Sequence, residues 1–230
     1  MRTEVYEMNG QLLKEALIKY LSGILLVGAL LFLPAGTLKW ENGILFMELL
    51  FIPMFLAGIV MYFKAPDLLK SRLNAKEKQA RQKDVISYSG IMFLAAFIVA
   101  GLNHRFGWMS FPRFIVILGC VIFLVSYLLF AEVLRENAYL SRTIEVKEGQ
   151  KVVDTGLYGI VRHPMYFATV FLFLSMPLIL NSPISLFIML GYIPLIIERI
   201  KNEEEVLEAE LQGYAEYKKK VRWRLIPFLY

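Results

Sequence analysis

Gly156-Leu157-Tyr158-Gly159-Ile160-Val161-Arg162-His163-Pro164-Met165-Tyr166 separates two long apolar blocks and carries one of the chain's two histidines. Its glycines allow backbone turns and close approach to a ligand. Pro164 suits the first turn of a helix, so the segment reads as a loop that ends where a span begins. That places Arg162 and His163 at a helix N-terminus, where backbone N–H groups lack partners and anions bind. Taken alone, the stretch fits an anion site. It equally fits an interfacial loop with a snorkelling arginine and a structural histidine.

The blocks on either side set the fold class. The chain has 230 residues, 57% hydrophobic and only 20% charged, with a mean hydropathy of +0.55. Soluble domains run at about 45–50% apolar and about 25% charged. Apolar runs of about 17–25 residues cross roughly 30 Å of hydrocarbon. Such runs lie near 16–35, 43–63, 86–103, 112–134, 166–181 and 183–200. Asn181-Ser182-Pro183 reads as a tight turn between the last two, and Pro177 and Pro194 are placed to kink them. The expectation is an all-α polytopic membrane bundle of about six spans, the last two forming a helical hairpin. A five-span alternative treats 166–200 as one broken unit. Residues 1–135 then form the N-terminal membrane-spanning part, and 136–230 a second region that joins the polar segments to the last spans.

Charge orients the bundle. Twenty-two of the 25 Lys and Arg fall before or within the start of the first span, in 64–85, in 135–165 and at or after the end of the sixth span. Only Lys39, Arg105 and Arg113 fall on the other side. By the positive-inside rule both termini and the 156–166 segment are cytoplasmic, in the cell membrane if the source is prokaryotic. The net charge of +5 follows this topology and is not read as a nucleic-acid surface. The single cysteine, Cys120, excludes an intrachain disulfide. No metal site is expected.

Polar residues within spans are few. Glu48 reads either as snorkelling or as functional, and Glu132 as part of the cytoplasmic boundary. Residues 136–156 alternate around Glu148-Gly149-Gln150, suggesting a small hairpin or extended loop. Asn202–Val221 reads as a charged amphipathic helix with an apolar stripe of Val206, Leu207, Leu211, Tyr214 and Val221.

Two further constellations accompany the opening stretch. Arg199 and Glu203 are four apart and can pair on one helix face. Glu204 shares the face of Leu207 and Leu211, and a carboxylate on a packing face needs a partner, either a protein cation or a cationic ligand. Gly213-Tyr214-Ala215-Glu216-Tyr217 and Val221-Arg222-Trp223-Arg224-Leu225-Ile226-Pro227 interleave aromatic and basic residues, as interfaces and ring-binding sites do. G-x-G-x-x-G, P-loop, H-E-x-x-H and G-x-S-x-G patterns are absent.

In this order the pieces resemble the isoprenylcysteine carboxyl methyltransferase family, part of a wider group with membrane phospholipid N-methyltransferases. The resemblance rests on Gly156, Tyr158, Arg162, His163, Pro164 and Tyr166 (R-H-P-x-Y), then Arg199, Glu203, Glu204 and Leu207 (R-I-x-x-E-E-x-x-L). Gly213-Tyr-x-x-Tyr217 and Arg224-Leu-Ile-Pro227 complete it. It implies S-adenosylmethionine as methyl donor, enclosed by Gly156, Tyr158, Arg162, His163, Pro164, Tyr166, Glu203, Glu204 and Tyr217. Glu203 or Glu204 would answer its positive charge, and Arg162 and His163 its carboxylate. Arg199 and Glu203 are the catalytic candidates, Arg199 orienting an acceptor carboxylate. The acceptor would be lipophilic, a lipid or prenylated molecule entering sideways from the bilayer. One departure is Ala168, where the family commonly has Gly. Sterol reductases, which use NADPH, share an R-H-P-x-Y element. They usually follow their acidic pair with Cys and a Lys-Tyr-Gly run. Here Glu203-Glu204-Glu205-Val206-Leu207 and Gln212-Gly213-Tyr214 stand instead. A non-enzymatic scaffold or transporter is the third reading, against which the spans show no repeated broken halves.

Overall fold

A computed structural model describes residues 2–73, 80–137, 139, 146 and 148–230. Its helices are α1 (Arg2–Ala35), α2 (Glu41–Lys64), α3 (Pro66–Leu73), α4 (Ala80–Phe106), α5 (Arg113–Glu136), α6 (Pro164–Ile179), α7 (Pro183–Leu190), α8 (Tyr192–Glu210) and α9 (Tyr214–Lys220). Gly156–Gly159 forms a single 3-10 turn. No strand occurs among the described residues. The expected hairpin within 136–156 falls largely outside them; residues 148–154 are irregular.

Among the described residues five stretches are long and apolar enough to cross a membrane: Gly10–Ala35, Glu41–Lys64, Lys83–Phe106, Arg113–Glu136 and Pro183–Glu210. Leu25, Leu33, Phe63 and Leu128 on them are each more than 70% exposed, as lipid-facing side chains are. The expected fifth span is instead the 16-residue α6. At 1.5 Å per residue it reaches about 24 Å, short of the hydrocarbon thickness. Tyr166, Ala168, Val170, Met176 and Ile179 on it are buried, so it serves as the bundle's central packing element. The turn after it is as expected. Asn181 adopts φ 54°, and the Ser182 hydroxyl caps α7 by accepting from the Ser185 N–H at 3.4 Å.

The sixth span differs in form. Pro194 has no N–H to offer the carbonyl four residues back, and the helix breaks at Gly191 into α7 and α8. α8 then runs without a stop into the charged segment. The single amphipathic helix expected over 202–221 is therefore two pieces, the end of α8 and α9. Gly213 at φ 87° turns the chain between them. The apolar stripe still packs: Leu211, Tyr214, Tyr217 and Val221 form a small cluster with Leu207, Val146 and Val152.

Close backbone approaches hold the bundle. A Cβ at Gly101 would lie 2.4 Å from the Leu31 carbonyl, and one at Gly119 would lie 2.7 Å from Leu178 Cβ. Those contacts seat α4 on α1 and α5 on α6. At the end away from the 156–166 segment, Phe46, Phe97, Phe123, Met176 and Ile179 form one core. The loops there are knitted by Asn42 donating to the Ile179 carbonyl (2.8 Å) and the Phe111 N–H donating to Asn181 (2.6 Å). A second core, with Met92, Val170, Met189, Ile196 and Ile200, lies under the segment itself. Glu48 is exposed on α2, and Glu132 pairs with Arg135 at the end of α5.

Candidate active site

Three stretches meet at one end of the bundle: the 156–166 segment, the charged part of α8, and α9 with the chain that follows it. The Arg162 and His163 N–H groups donate to the Trp223 and Arg224 carbonyls, each at 2.9 Å. His163 is the residue before α6 and Pro164 its first, as expected. The two N–H groups read as open to an anion are thus occupied by the returning chain.

Behind this pairing lies a buried ionic knot. Glu204, 3% exposed, accepts from Arg162 Nε at 2.7 Å and from Arg224 Nε at 3.0 Å. His163 Nε2 lies 3.2 Å from the same carboxylate and Lys218 Nζ 3.8 Å. Arg162 Nη1 also donates to the Val221 and Arg222 carbonyls at 2.8 Å. Burying a carboxylate is tolerable only with such partners. Here they come from both sides of the cleft, so one side chain fastens 162–163 to 218–224.

A layer of phenols braces the same region. Tyr217 donates to the Tyr158 carbonyl at 2.7 Å, and the Tyr158 hydroxyl accepts from Asn137 at 3.0 Å. Burial pushes the Tyr158 hydroxyl up to about 12 and raises Tyr217 as well. Both therefore stay neutral hydrogen-bonding groups at physiological pH.

The face of the knot opens into a cleft of about 820 Å³, measured out to its mouth. Tyr158, Arg162, His163, Pro164, Tyr166, Arg199, Glu203 and Tyr217 all line it. Arg199 and Glu203 meet there through Tyr166, whose hydroxyl donates to the Glu203 carboxylate and accepts from Arg199 Nε at 3.0 Å. The Arg199 guanidinium carbon lies 5.9 Å from the centre of the Tyr166 ring. Asn137, Tyr139, Gln150, Lys151, Val152 and Val153 complete one wall. The sequence reading did not pick these out as site residues. They belong to a connector whose alternation signals only extended chain, and nothing in that pattern says what it covers.

Two expected cofactor residues lie outside the lining. Glu204 faces the knot. Gly156, at φ 52°, makes its close approach to the protein itself: a Cβ there would sit 1.5 Å from Glu136 Oε1. That carboxylate accepts from the Leu157 N–H at 3.0 Å. Gly156→Ala is expected to cost at least about 1–3 kcal/mol from the left-handed backbone alone and to expel Glu136. Thermal unfolding in detergent checks this, and a Glu136→Ala background, which removes the overlapping atoms, tests whether the contact accounts for the excess. Ala168 is fully buried on α6 and is not part of the lining, so its extra methyl is accommodated in helix packing.

Among the described residues the cleft surface offers the Glu203 carboxylate and the cations Arg162, Arg199 and Lys151, with aromatic and aliphatic walls. It opens at the end of a lipid-facing helix bundle and suits a mixed-charge molecule with a ring. Among the described residues no group of His, Cys, Asp or Glu is placed to hold a metal ion.

Fold and site together define a polytopic helical membrane protein whose charged cleft is roofed by its last helices. Residues 115–209 match the sequence model of the isoprenylcysteine carboxyl methyltransferase (ICMT) family. The structure is similar to that of a eukaryotic intramembrane Ras methyltransferase, isoprenylcysteine carboxyl methyltransferase. The TM-score is 0.56 and the sequence identity 18%, over 89% of this chain and 74% of that one. Curated relatives include a Delta(14)-sterol reductase of Methylotuvimicrobium alcaliphilum, 31% identical over 39% of this chain and 22% of that protein. Another is the Arabidopsis thaliana Delta(14)-sterol reductase, 27% identical over 50% of this chain and 34% of that protein. The matches thus span about a fifth to a third of those relatives' length.

Proposed function

We propose that this protein is an S-adenosylmethionine-dependent methyltransferase of the membrane. Its acceptor is lipophilic, carries a carboxylate of the prenylcysteine kind, and reaches the cleft from the bilayer. Residues 136–230 form the catalytic region and residues 1–135 its membrane support, with the cleft and both termini on the cytoplasmic side. The observation that carries this reading is the Tyr166-bridged pair of Arg199 and Glu203 on the cleft surface, within the region that matches the family.

The residues present fit the donor. S-adenosylmethionine supplies a sulfonium methyl group, an amino-acid tail and an adenine ring. Glu203 answers positive charge. Lys151 lines the cleft as a cation for a carboxylate, and Tyr139, Tyr214, Val152 and Leu207 offer surface to a ring. Arg162 lines the same wall but is already engaged by Glu204, which acts from behind to hold Arg162 and His163 in place. Arg199 presents a planar fork to an acceptor carboxylate, which needs no general base. Excluding water and fixing the line of displacement are then the protein's main contributions.

The direct test is calorimetry on purified protein in detergent. S-adenosylhomocysteine is expected to bind and NADPH is not; the reverse would overturn the proposal. The matches to sterol reductases favour NADPH as the second reading, so both titrations belong in one experiment. Glu203→Gln sharpens the assignment. Charged hydrogen bonds contribute about 1.5–3 kcal/mol, so S-adenosylmethionine affinity is expected to fall roughly tenfold or more. If Glu203 faces the sulfonium, the uncharged thioether of S-adenosylhomocysteine is weakened far less. An equal loss for both would place Glu203 at the ammonium.

A further inference from the structure

The structure holds a second concavity, away from the cleft, between α1, α2 and α3. Leu13, Leu17 and Tyr20 of α1, Phe55 and Ile59 of α2 and Leu69 of α3 are among its walls. It encloses about 1160 Å³ out to its mouth. Among the described residues its lining contains two cations, Lys19 and Arg72, and no carboxylate. Lys19 Nζ donates at 2.6 Å to the Leu73 carbonyl, which ties α1 to the end of α3, and to Glu15. The Arg72 guanidinium carbon lies 5.1 Å from the centre of the Phe130 ring on α5.

The walls say where an occupant comes from. Leu13, Leu17, Phe55, Ile59 and Phe63 remain exposed on helices of membrane-spanning length, so the groove opens to hydrocarbon. α3 carries Lys70 as well as Arg72 in its last turn, within the basic 64–85 stretch of the sequence. Basic residues at a membrane face attract anionic headgroups. An apolar slot with a cationic end matches a molecule with the reverse arrangement, an apolar chain with an anionic head.

We propose that the groove between α1, α2 and α3 is a binding site for an anionic membrane phospholipid. One acyl chain lies along Phe55, Gly58 and Ile59, and the headgroup is held at Lys19 and Arg72. The site is separate from the methyl-transfer cleft and does not depend on that reading.

Gly58 provides the test. It lines the groove, and a Cβ built there meets nothing within 4 Å. The first side-chain atom at this position therefore meets open space, and Gly58→Leu adds apolar bulk to the groove. Native mass spectrometry would count lipids on detergent-purified protein titrated with phosphatidylglycerol or phosphatidylcholine. Wild type is expected to retain phosphatidylglycerol at least about fivefold better, the effect of roughly one basic residue. Gly58→Leu is expected to lose this adduct while keeping its unfolding temperature. Lys19→Gln combined with Arg72→Gln is expected to abolish the preference between the lipids. Equal retention of both lipids by wild type would overturn the proposal, as would an undiminished phosphatidylglycerol adduct in Gly58→Leu. A dimer that forms without lipid and is lost in Gly58→Leu would assign the groove to a second copy of the chain instead.

Discussion

Glu204→Gln is expected to destabilise the protein by about 3–5 kcal/mol, the usual penalty for breaking a buried ion pair from one side. Glu204 is 3% exposed and answers Arg162, itself 8% exposed, together with His163 and Arg224. An amide has one acceptor oxygen in place of two and no charge. Arg162 keeps its two carbonyl partners but loses its counter-charge, and Arg224 loses its carboxylate oxygen. Thermal unfolding in detergent, followed by tryptophan fluorescence, is the measurement. Trp223 lies in the segment that the knot fastens, so its signal is expected to change first. Donor affinity should fall with stability, because Glu204 holds the cleft wall without lining it. A stable variant that loses only S-adenosylhomocysteine binding would show instead that Glu204 contacts the donor directly.

That distinction separates what the residue pattern conveys from what it does not. The R-H-P-x-Y and E-E segments were visible as a pair that should converge, and they do. Spacing along α8 put Glu203 and Glu204 on different faces. It left open which faces a ligand, because a protein cation and a cationic ligand satisfy a carboxylate equally well. The decision depends on Arg224 and on the backbone pairing of 162–163 with 223–224, a contact between segments about 60 residues apart. The same limit applies at Gly156. A glycine permits close approach, yet its neighbour, Glu136, is 20 residues upstream at the end of another helix.

The membrane part was legible for the opposite reason. Span length is a local property, and five of the six expected spans fall in stretches long and apolar enough to cross a membrane. The departures fall where packing outweighs hydropathy. α6 is as apolar as a span, but its buried faces make it a short central element. Pro194 marked a break whose position, Gly191, is fixed by the lost hydrogen bond one turn back. The C-terminal stripe was right in composition, while its single helix is divided by a left-handed glycine. The cleft wall from Tyr139 to Val153 was the least legible, since a polar connector carries no periodicity that says what it covers.

Arg199→Lys is expected to reduce kcat/KM for methyl transfer by about 100-fold while leaving S-adenosylhomocysteine affinity within about threefold. Lysine keeps the charge but lacks the planar fork that arginine offers a carboxylate. A misplacement of about 1 Å at a reacting centre is enough for a loss of that order. Arg199 Nε also holds the Tyr166 hydroxyl at 3.0 Å, and Tyr166 in turn bonds Glu203. A lysine could orient neither the phenol nor the acceptor in the same plane. Tyr166→Phe separates these two effects. If Arg199 acts by holding Tyr166, the phenylalanine variant should lose as much activity as Arg199→Lys. If Arg199 meets the acceptor itself, Tyr166→Phe should lose much less, and the loss in Arg199→Lys should shrink for an acceptor that lacks the carboxylate. The measurement is transfer of labelled methyl from S-adenosylmethionine to a prenylcysteine and to its amide, with donor affinity followed in parallel. Equal losses of turnover and donor affinity in Arg199→Lys would move Arg199 from the acceptor side of the cleft to the donor side.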